Sequence, residues 1–373
     1  MRIAILKERA SGESRVAASA ETVRKFIALG ADVAVEKGAG IAAAITDADY
    51  TDAGANVGTA TVTAKDADIV LGIQAPDLKL LKGAKKGAMV AALFDPFGAP
   101  KLVEAYAKAG FEALSMEFMP RITRAQSMDV LSSQSNLAGY KAVIAAADTY
   151  GRAFPMMMTA AGTVQAARCF VMGVGVAGLQ AIATARRLGA QVSATDVRSA
   201  TKEQIESLGA KPVFVEDVAG IEGEGSGGYA TEMSEEYQKA QAELVSSHIA
   251  KQDIVITTAL IPGRAAPRLI SDAQIKTMKP GSVIFDLATS QGGNVEGSKP
   301  DEIVMKHGVA IMGYANTPAH LPADASALFA RNHYNFLSAF WDEETGGPVL
   351  DEEIGDAVRL TKGGKIVNER LNA

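Results

Sequence analysis

The stretch that most constrains the fold is residues 168–178, which reads as a short buried strand, a tight turn and the start of a helix. Gly173, Gly175 and Gly178 have the spacing G-x-G-x-x-G. In this pattern the first glycine permits a sharp turn, the second lets backbone approach a pyrophosphate, and the third lets the helix pack closely on the strand. The start of a helix also offers N–H groups and a positive dipole end to phosphates. The pattern therefore predicts a dinucleotide site.

The residues after the turn strengthen this prediction. We expect a helix over 179–188 and a second strand over 191–195, which ends at Asp196. An acid at this place accepts hydrogen bonds from the adenosine ribose and repels a 2′-phosphate, which favours NAD over NADP. Arg198 keeps NADP open, because an arginine just past the strand can pair with a 2′-phosphate.

Length and composition narrow the class of protein. A chain of 373 residues is long enough for two domains with separate cores. The net charge of −6 and the lack of a basic run argue against nucleic-acid binding, and a single cysteine permits no disulfide within the chain. No apolar run reaches the roughly 18 residues that span a bilayer, and the N-terminus lacks a signal-peptide pattern. We expect a cytoplasmic protein, which could still sit on a membrane through a partner subunit.

Predicted strands alternate with predicted helices along most of the chain, which indicates parallel sheets. The predicted fold class is α/β, with two Rossmann-like doubly wound parallel-sheet domains joined by long helices. A long helix over about 137–153 separates a first α/β region without a glycine fingerprint from a second region that has one. We expect a first domain of residues 1–133 and 317–373 and a dinucleotide-binding domain of residues 134–316. A short hairpin around Gly363 and Gly364 is expected near the C-terminus.

The segment from Arg121 to Asn136 is the second candidate site, because it concentrates polar side chains without periodicity. One interpretation is a polar linker in which Ser135 or Asn136 caps the long helix. The other is that the first domain reaches across the cleft, so that arginine, glutamine and aspartate side chains hold the nicotinamide and its ribose. Such a loop orients a ring instead of performing acid–base chemistry.

A glycine-rich segment from Gly220 to Gly228, followed by Tyr229, has two interpretations. It is either a flexible surface loop or a lid that closes over a bound nucleotide with Tyr229 at its tip. Of the four histidines, His320 is placed best to face the cleft, since it follows the last strand of the second domain. No cluster of histidine and cysteine has metal-ligand spacing, so no metal is expected.

Several motifs closely resemble one family, the NAD(H)-binding component (domain I) of proton-translocating NAD(P) transhydrogenase. They lie at residues 120–140, 154–163, 173–185, 194–198, 227–230 and 257–263. The resemblance covers nearly the whole chain. It implies two Rossmann-like domains, with the N- and C-terminal segments forming the first domain. It also implies NAD(H) as the cofactor, and direct hydride transfer from NADH to NADP held by a partner component.

The partners implied by the resemblance are an NADP(H)-binding component, a membrane-spanning component that carries protons, and a second copy of this chain in a homodimer. The protein would then be peripheral on the inner membrane. The catalytic residues that the resemblance implies are Arg121, Gln126, Asp129 and Ser132. The implied cofactor-binding residues are Arg121, Ile122, Thr123, Arg124, Gln126, Ser127, Met128, Asp129, Gly173, Gly175, Val176, Ala177, Gly178, Asp196, Val197, Arg198, Gly228, Tyr229, Gln241 and Leu260.

The related alanine dehydrogenases provide the alternative function. Their substrate site has a lysine in the strand before a proline and a histidine at the end of the next strand. Here the first position falls in residues 72–76, which contain no lysine, and Asp95 stands where the histidine would fall. Arg15 alone of that site remains. A second alternative is a module that binds NADH without catalysis.

Overall fold

The computed structural model describes residues 1–215, 235–261 and 263–371. The chain forms two compact units, one of residues 1–134 with 319–373 and the other of residues 135–318. The predicted lid residues Gly228 and Tyr229 lie outside the described residues.

The first unit is built on a six-stranded parallel sheet with the strand order β3-β2-β1-β4-β5-β6. The order reverses between β1 and β4, and in open α/β sheets ligands bind outside the carboxyl ends of the strands at such a point. The strands are β1 (Arg2–Ile5), β2 (Asp32–Glu36), β3 (Asn56–Gly58), β4 (Ile69–Gln74), β5 (Met89–Leu93) and β6 (Glu112–Ser115).

Both faces of this sheet are covered. Ile3 and Ile5 of β1 pack in one core, whereas Ala4 between them packs in the other. Alternate residues therefore point to opposite faces, and a strand buried on both sides reads as a continuous apolar run. The connecting helices are α1 (Ala20–Ala28), α2 (Asp47–Asp52), α3 (Ala60–Ala64) and α4 (Pro100–Ala109).

The long helix α5 (Val130–Thr149) begins earlier than the sequence predicted. The predicted start at residue 137, with Ser135 or Asn136 as its cap, is wrong. Asp129 caps the helix instead, because its Oδ1 accepts a hydrogen bond from the Ser132 backbone N–H at 3.0 Å. The run of serine, glutamine and asparagine resembles a loop by propensity. Tertiary contacts override it, since the Gln134 side chain is buried and hydrogen-bonded inside the first unit.

The second unit contains a seven-stranded sheet with the order β11-β10-β9-β12-β13-β15-β14. All neighbouring strands are parallel except the edge pair β14 and β15. The order reverses between β9 and β12. A separate exposed hairpin, β7 (Met157–Thr159) and β8 (Gly162–Val164), precedes the sheet. The sheet strands are β9 (Arg168–Met172), β10 (Gln191–Thr195), β11 (Lys211–Pro212), β12 (Ile254–Thr257), β13 (Val283–Asp286), β14 (Val304–Lys306) and β15 (Val309–Met312).

Helices cover this second sheet, with apolar side chains packed on each face. They are α6 (Val176–Arg187), α7 (Thr201–Ser207), α8 (Glu235–Ile249) and α9 (Asp272–Ile275). Helix α6 begins three residues before the predicted residue 179 (179 − 176 = 3), directly after Gly175.

The chain then returns to the first unit through α10 (Pro322–Ala339). Two short antiparallel pairs and a last helix follow. The predicted hairpin at Gly363 and Gly364 is confirmed, and both glycines have positive φ, at +59° and +81°. These elements are β16 (Trp341–Asp342), β17 (Gly347–Pro348), α11 (Ile354–Val358), β18 (Thr361–Lys362) and β19 (Lys365–Ile366). Among the helices that the structure describes, none is both long enough and apolar enough to cross a membrane.

Candidate functional site

The turn after β9 has a backbone that only glycine adopts without strain. Gly173 has φ +98°, and a Cβ built there would come closer than 3.0 Å to the Thr258 hydroxyl. That hydroxyl donates a hydrogen bond to the Gly173 carbonyl at 3.1 Å. The first glycine of the fingerprint therefore permits the sharp turn and its close packing against the residue that follows β12.

The other two fingerprint glycines differ from each other in what surrounds them. A Cβ on Gly178 would lie 2.8 Å from the Gly173 carbonyl carbon and still closer to its oxygen, so α6 packs on the turn only because this residue has no side chain. A Cβ on Gly175 would meet nothing within 4 Å. The second glycine therefore leaves an open approach to the backbone, which is the property that a pyrophosphate needs there.

The N-terminus of α6 has the chemistry of an anion site. Its N-cap is Gly175, which has no side chain to bond the N–H groups of the first turn. The helix dipole places partial positive charge at this end, and Arg186 and Arg187 lie in the last turn, where they complement the opposite pole. The residues present therefore fit the phosphates of a dinucleotide.

Gly139 also shapes this site, although it lies outside the glycine fingerprint. It lies on α5, and a Cβ there would come within 2.8 Å of the Ala177 carbonyl carbon. The backbone of α5 therefore packs directly on the first turn of α6. A glycine within an otherwise Ala-rich helical pattern was the signal available in the sequence.

Asp196 follows β10 and braces the glycine-rich turn. Its Oδ2 accepts a hydrogen bond from the Val174 N–H at 2.7 Å. The Arg198 guanidinium grips the same carboxylate in a fork, with Nε on Oδ1 at 2.9 Å and a terminal nitrogen on Oδ2 at 3.0 Å. The Arg198 N–H donates to Oδ1 as well, at 2.9 Å.

This arrangement bears on the choice between NAD and NADP. A carboxylate has about four lone-pair sites, and four protein donors already address Asp196, so a ribose hydroxyl has to share them. The fork of Arg198 is directed at Asp196, which competes with any 2′-phosphate for that guanidinium. The electrostatics at the end of β10 therefore favour an uncharged ribose.

A second wall of the site follows β12, where Leu260 is 37% exposed. Asn294, which is fully buried, holds this segment in place through both ends of its amide. Its Nδ2 donates to the carbonyls of Ala259 and Pro267, each at 2.8 Å, and its Oδ1 accepts from the Ala259 N–H at 3.1 Å. Asn294 was not predicted from the sequence, where the only local signal was its place after two glycines.

Asp286, at the end of β13, supports Asn294 from below. Its buried carboxylate accepts from the Ala288 and Val295 N–H groups at 2.9 and 3.1 Å, and from the Ser298 hydroxyl at 2.7 Å. The remaining predicted residues in this unit are Val176 and Ala177 in the first turn of α6, Val197 between Asp196 and Arg198, and Gln241, which is half-buried on α8.

The predicted ring-positioning loop of the first unit forms a 3-10 turn over Thr123–Met128. Ala125 and Met128 are buried in the core, whereas Gln126 and Ser127 are exposed. The turn is thus fastened from below and presents two polar side chains outward. Ile122, which is half-buried against the same core, precedes it, and the predicted residues Arg121 and Thr123 on either side of Ile122 are exposed.

The ends of this loop are tied to other elements of the first unit. Arg124 forms ion pairs with Asp351 and Glu353, and its guanidinium lies 5.8 Å from the centre of the Phe340 ring. Asp129 accepts from the Ser132 hydroxyl at 2.6 Å in addition to capping α5. Two of the four predicted catalytic residues, Asp129 and Ser132, are therefore bonded to each other.

Arg15, the one residue shared with the amino-acid site of alanine dehydrogenases, is buried in a polar cluster. Glu13 accepts from its Nε and from a terminal nitrogen, each at 2.7 Å, and the Gln134 amide oxygen accepts at 2.8 Å. The Gln74 amide, in the segment without the lysine, also donates to Glu13, at 3.2 Å. The charge of Arg15 is compensated inside the fold. Burial raises the pKa of the neighbouring Glu8 to about 7.

The histidines provide no catalytic group in the described part of either unit. His320 lies at the surface in the 3-10 turn Thr317–His320. His333 is fully buried on α10, where loss of hydration lowers its pKa to about 4. Residues 1–215, 235–261 and 263–371 contain no group of three or more His, Cys, Asp or Glu side chains arranged to hold a metal ion.

Comparison with known proteins agrees with this architecture. Residues 4–138 match the family model "Alanine dehydrogenase/PNT, N-terminal domain", and residues 142–369 match "Alanine dehydrogenase/PNT, C-terminal domain". The chain belongs to the alanine dehydrogenase/PNT family.

The relatives place the chain within that family. It is 53% identical to an NAD(P) transhydrogenase subunit alpha chain of Rhodospirillum rubrum over 380 aligned positions, which cover 100% of this chain and 99% of that one. A transhydrogenase crystal structure from Sinorhizobium meliloti matches with a TM-score of 0.90 and 52% identity, covering 98% of this chain and 100% of that one. These matches confirm the resemblance based on the motifs and place the chain among oxidoreductase subunits.

A more distant structure supports the fold alone. An L-alanine dehydrogenase matches with a TM-score of 0.82 and 23% identity, covering 100% of this chain and 98% of that one. The predicted α/β class with two Rossmann-like domains is confirmed.

Proposed function

We propose that this chain is the NAD(H)-binding subunit of a proton-translocating NAD(P) transhydrogenase. The second unit binds NAD(H), a partner component holds NADP(H), and hydride passes directly between the two nicotinamide rings. A membrane-spanning component moves the protons. One observation carries the proposal. The open approach at Gly175 lies at the start of α6, in a chain that aligns along its whole length with a transhydrogenase alpha subunit chain.

Within the second unit, each group has a separate task. The N–H groups at the start of α6 bind the pyrophosphate, Asp196 binds the adenosine ribose, and Leu260 forms part of the wall. The segment of Leu260 is held by Asn294 through the Ala259 backbone. Binding therefore depends on backbone geometry more than on charged side chains.

We assign the positioning of the dihydronicotinamide to Arg121, Gln126, Asp129 and Ser132. Bound NADH supplies a hydride from its C4, and the same hydride forms the new C–H bond at C4 of NADP⁺. No proton is gained or lost at either carbon, so the chain needs no catalytic acid or base. Its contribution is the orientation of one ring and the exclusion of water.

The loop has the features that this task requires. Gln126 and Ser127 are exposed while Ala125 and Met128 on either side of them are buried. Side chains that orient a reactant are most effective when the element beneath them is rigid. This contrast supports a role in positioning over a role as a simple linker.

The proposed partners follow from the same assignment. They are a second copy of this chain, the NADP(H)-binding component and the membrane-spanning component, which would hold the protein at the inner membrane.

The decisive experiment mixes the purified chain with an NADP-binding transhydrogenase component and follows transfer from NADH to an NADP analogue. We expect a rate well above that of either protein alone. NADH binding without any transfer would instead favour a non-catalytic NADH-sensing module. Reduction of NAD by L-alanine with this chain alone would favour an alanine dehydrogenase.

Substitution of Gln126 tests the role of the loop. Gln126→Ala should slow hydride transfer about 10- to 100-fold, because misplacement by about 1 Å costs that much in rate. The dissociation constant of NADH should change little. Glu104→Ala, at an exposed position of α4 in the same unit, is the matched control and should alter neither quantity. Equal losses of binding and rate in Gln126→Ala would contradict the positioning role.

A further inference from the structure

We infer that Asn332 and Asn335 are positioning residues that fix the ring-positioning loop through the backbone carbonyl of Ser127. The inference rests on the proposed function, since it assigns a catalytic consequence to the shape of that loop. It adds two residues of α10 that lie 205 and 208 positions from Ser127 in sequence and carry no recognisable motif.

The contact is a double hydrogen bond to one oxygen. Asn332 Nδ2 donates to the Ser127 carbonyl at 2.8 Å, and Asn335 Nδ2 donates to the same oxygen at 3.0 Å. A backbone carbonyl has two lone pairs, and here two amides address them. Residues three positions apart lie on one face of a helix, which explains how both asparagines reach the same atom.

Asn332 also links the loop to the start of α5. Its Oδ1 accepts a hydrogen bond from the Ser133 hydroxyl at 2.7 Å, while its Nδ2 holds Ser127. The side chain is only 7% exposed. Asn332 therefore joins both sides of Asp129, the residue that ends the loop and caps α5.

The element that carries the two amides is rigid. Phe329 and Phe336 of α10 are fully buried in the core of the first unit. The loop itself has less internal support, because 3-10 turns have poorer hydrogen-bond geometry than α-helices. The orientation of the Ser127 peptide is thus set by α10, and with it the direction in which Gln126 and Ser127 project.

The variants Asn332→Asp and Asn335→Asp test the inference. Each keeps the shape of the side chain but replaces the donor amide with a carboxylate that repels the Ser127 oxygen. Hydrogen exchange of residues 121–129 in the nucleotide-free protein should become about tenfold faster or more. Exchange in the sheet of the first unit should not change. Arg331→Gln is the matched control, because it removes an exposed ion pair with Glu21 on the same helix without touching the loop.

Activity provides the second readout. With the NADP-binding component present, hydride transfer in Asn335→Asp should slow about 10-fold or more, while NADH affinity stays within about twofold. The same substitution in a Gln126→Ala background should add little, since both changes act through one orientation.

The outcomes separate this inference from the function on which it rests. Unchanged exchange at residues 121–129 in Asn335→Asp overturns the inference, as does an equal fall in NADH affinity and rate. Fully additive effects of Asn335→Asp and Gln126→Ala also overturn it. If Gln126→Ala leaves transfer unchanged, the proposed function of the loop fails instead, and the exchange measurement still decides whether α10 holds the loop. Because Asn335 is only half-buried, its variant should fold even if Asn332→Asp does not.

Discussion

Gly175→Ala should separate dinucleotide binding from folding. The residue has φ −80° and ψ −166°, a backbone conformation that alanine adopts without strain. A methyl group there would meet no atom within 4 Å. The substitution therefore costs the folded protein nothing sterically, and it reduces the conformational entropy of the unfolded chain.

The two expected effects have opposite signs. Stability should rise by about 0.4–1 kcal/mol, the usual gain for a glycine replaced at a compatible position. NADH binding should weaken, because the methyl group occupies the approach that a pyrophosphate requires. Overpacking of a close contact costs about 1–3 kcal/mol, which corresponds to a dissociation constant roughly 5- to 150-fold higher.

Gly178→Ala is the contrasting variant. Its Cβ would lie 2.8 Å from the Gly173 carbonyl carbon, so backbone must move to admit it. Stability should fall by about 1–3 kcal/mol, partly offset by the better helix propensity of alanine. Binding should weaken as well, since the start of α6 moves away from the turn.

Thermal unfolding and titration of NADH fluorescence measure the two quantities for each variant. If Gly175→Ala binds NADH as tightly as the unaltered chain, the pyrophosphate does not approach Gly175 and the assignment of this turn is wrong. If Gly175→Ala is markedly destabilised, the open space at this residue is not a property of the folded protein.

Three further changes have definite expected outcomes. Asp196→Asn removes the charge that holds Arg198 and should shift the ratio of NADPH to NADH affinity towards NADPH by about tenfold, measured by titration with each nucleotide; an unchanged ratio would show that this carboxylate does not discriminate. Asn294→Ala leaves buried backbone groups around Ala259 unsatisfied and should lower the free energy of unfolding by about 2–4 kcal/mol in denaturant titrations, with weaker NADH binding; a loss below about 1 kcal/mol would refute this support. Because burial raises the pKa of Glu8 from 4.5 to about 7, the folded state retains a proton that the unfolded chain releases, so stability should fall as pH rises from about 4.5 to about 7. Glu8→Gln should flatten that slope in a comparison of unfolding across this pH range, and parallel curves would contradict the assignment.

The sequence by itself determined the strands, because parallel strands that are buried on both faces must be short continuous apolar runs. Residues 168–172 and 191–195 form strands with the expected bounds, and the helix over 100–109 begins at its proline as expected. The glycine spacing likewise predicted a turn whose backbone excludes side chains at Gly173 and Gly178. These features depend on residues close together in the chain.

Only the tertiary structure decided which polar groups meet. The start of α5 lies at Val130 because burial of Gln134 stabilises a helix that local propensity disfavours. Asn332 and Asn335 reach Ser127, and Asn294 reaches Ala259, across long stretches of sequence. A hydrogen bond between distant residues leaves no periodicity, since it requires one suitable side chain at one place. The roles of Arg121, Gln126, Asp129 and Ser132 in ring positioning stay predictions. The structure adds a physical reason to test them, which is that the loop bearing Gln126 is held by contacts the sequence does not reveal.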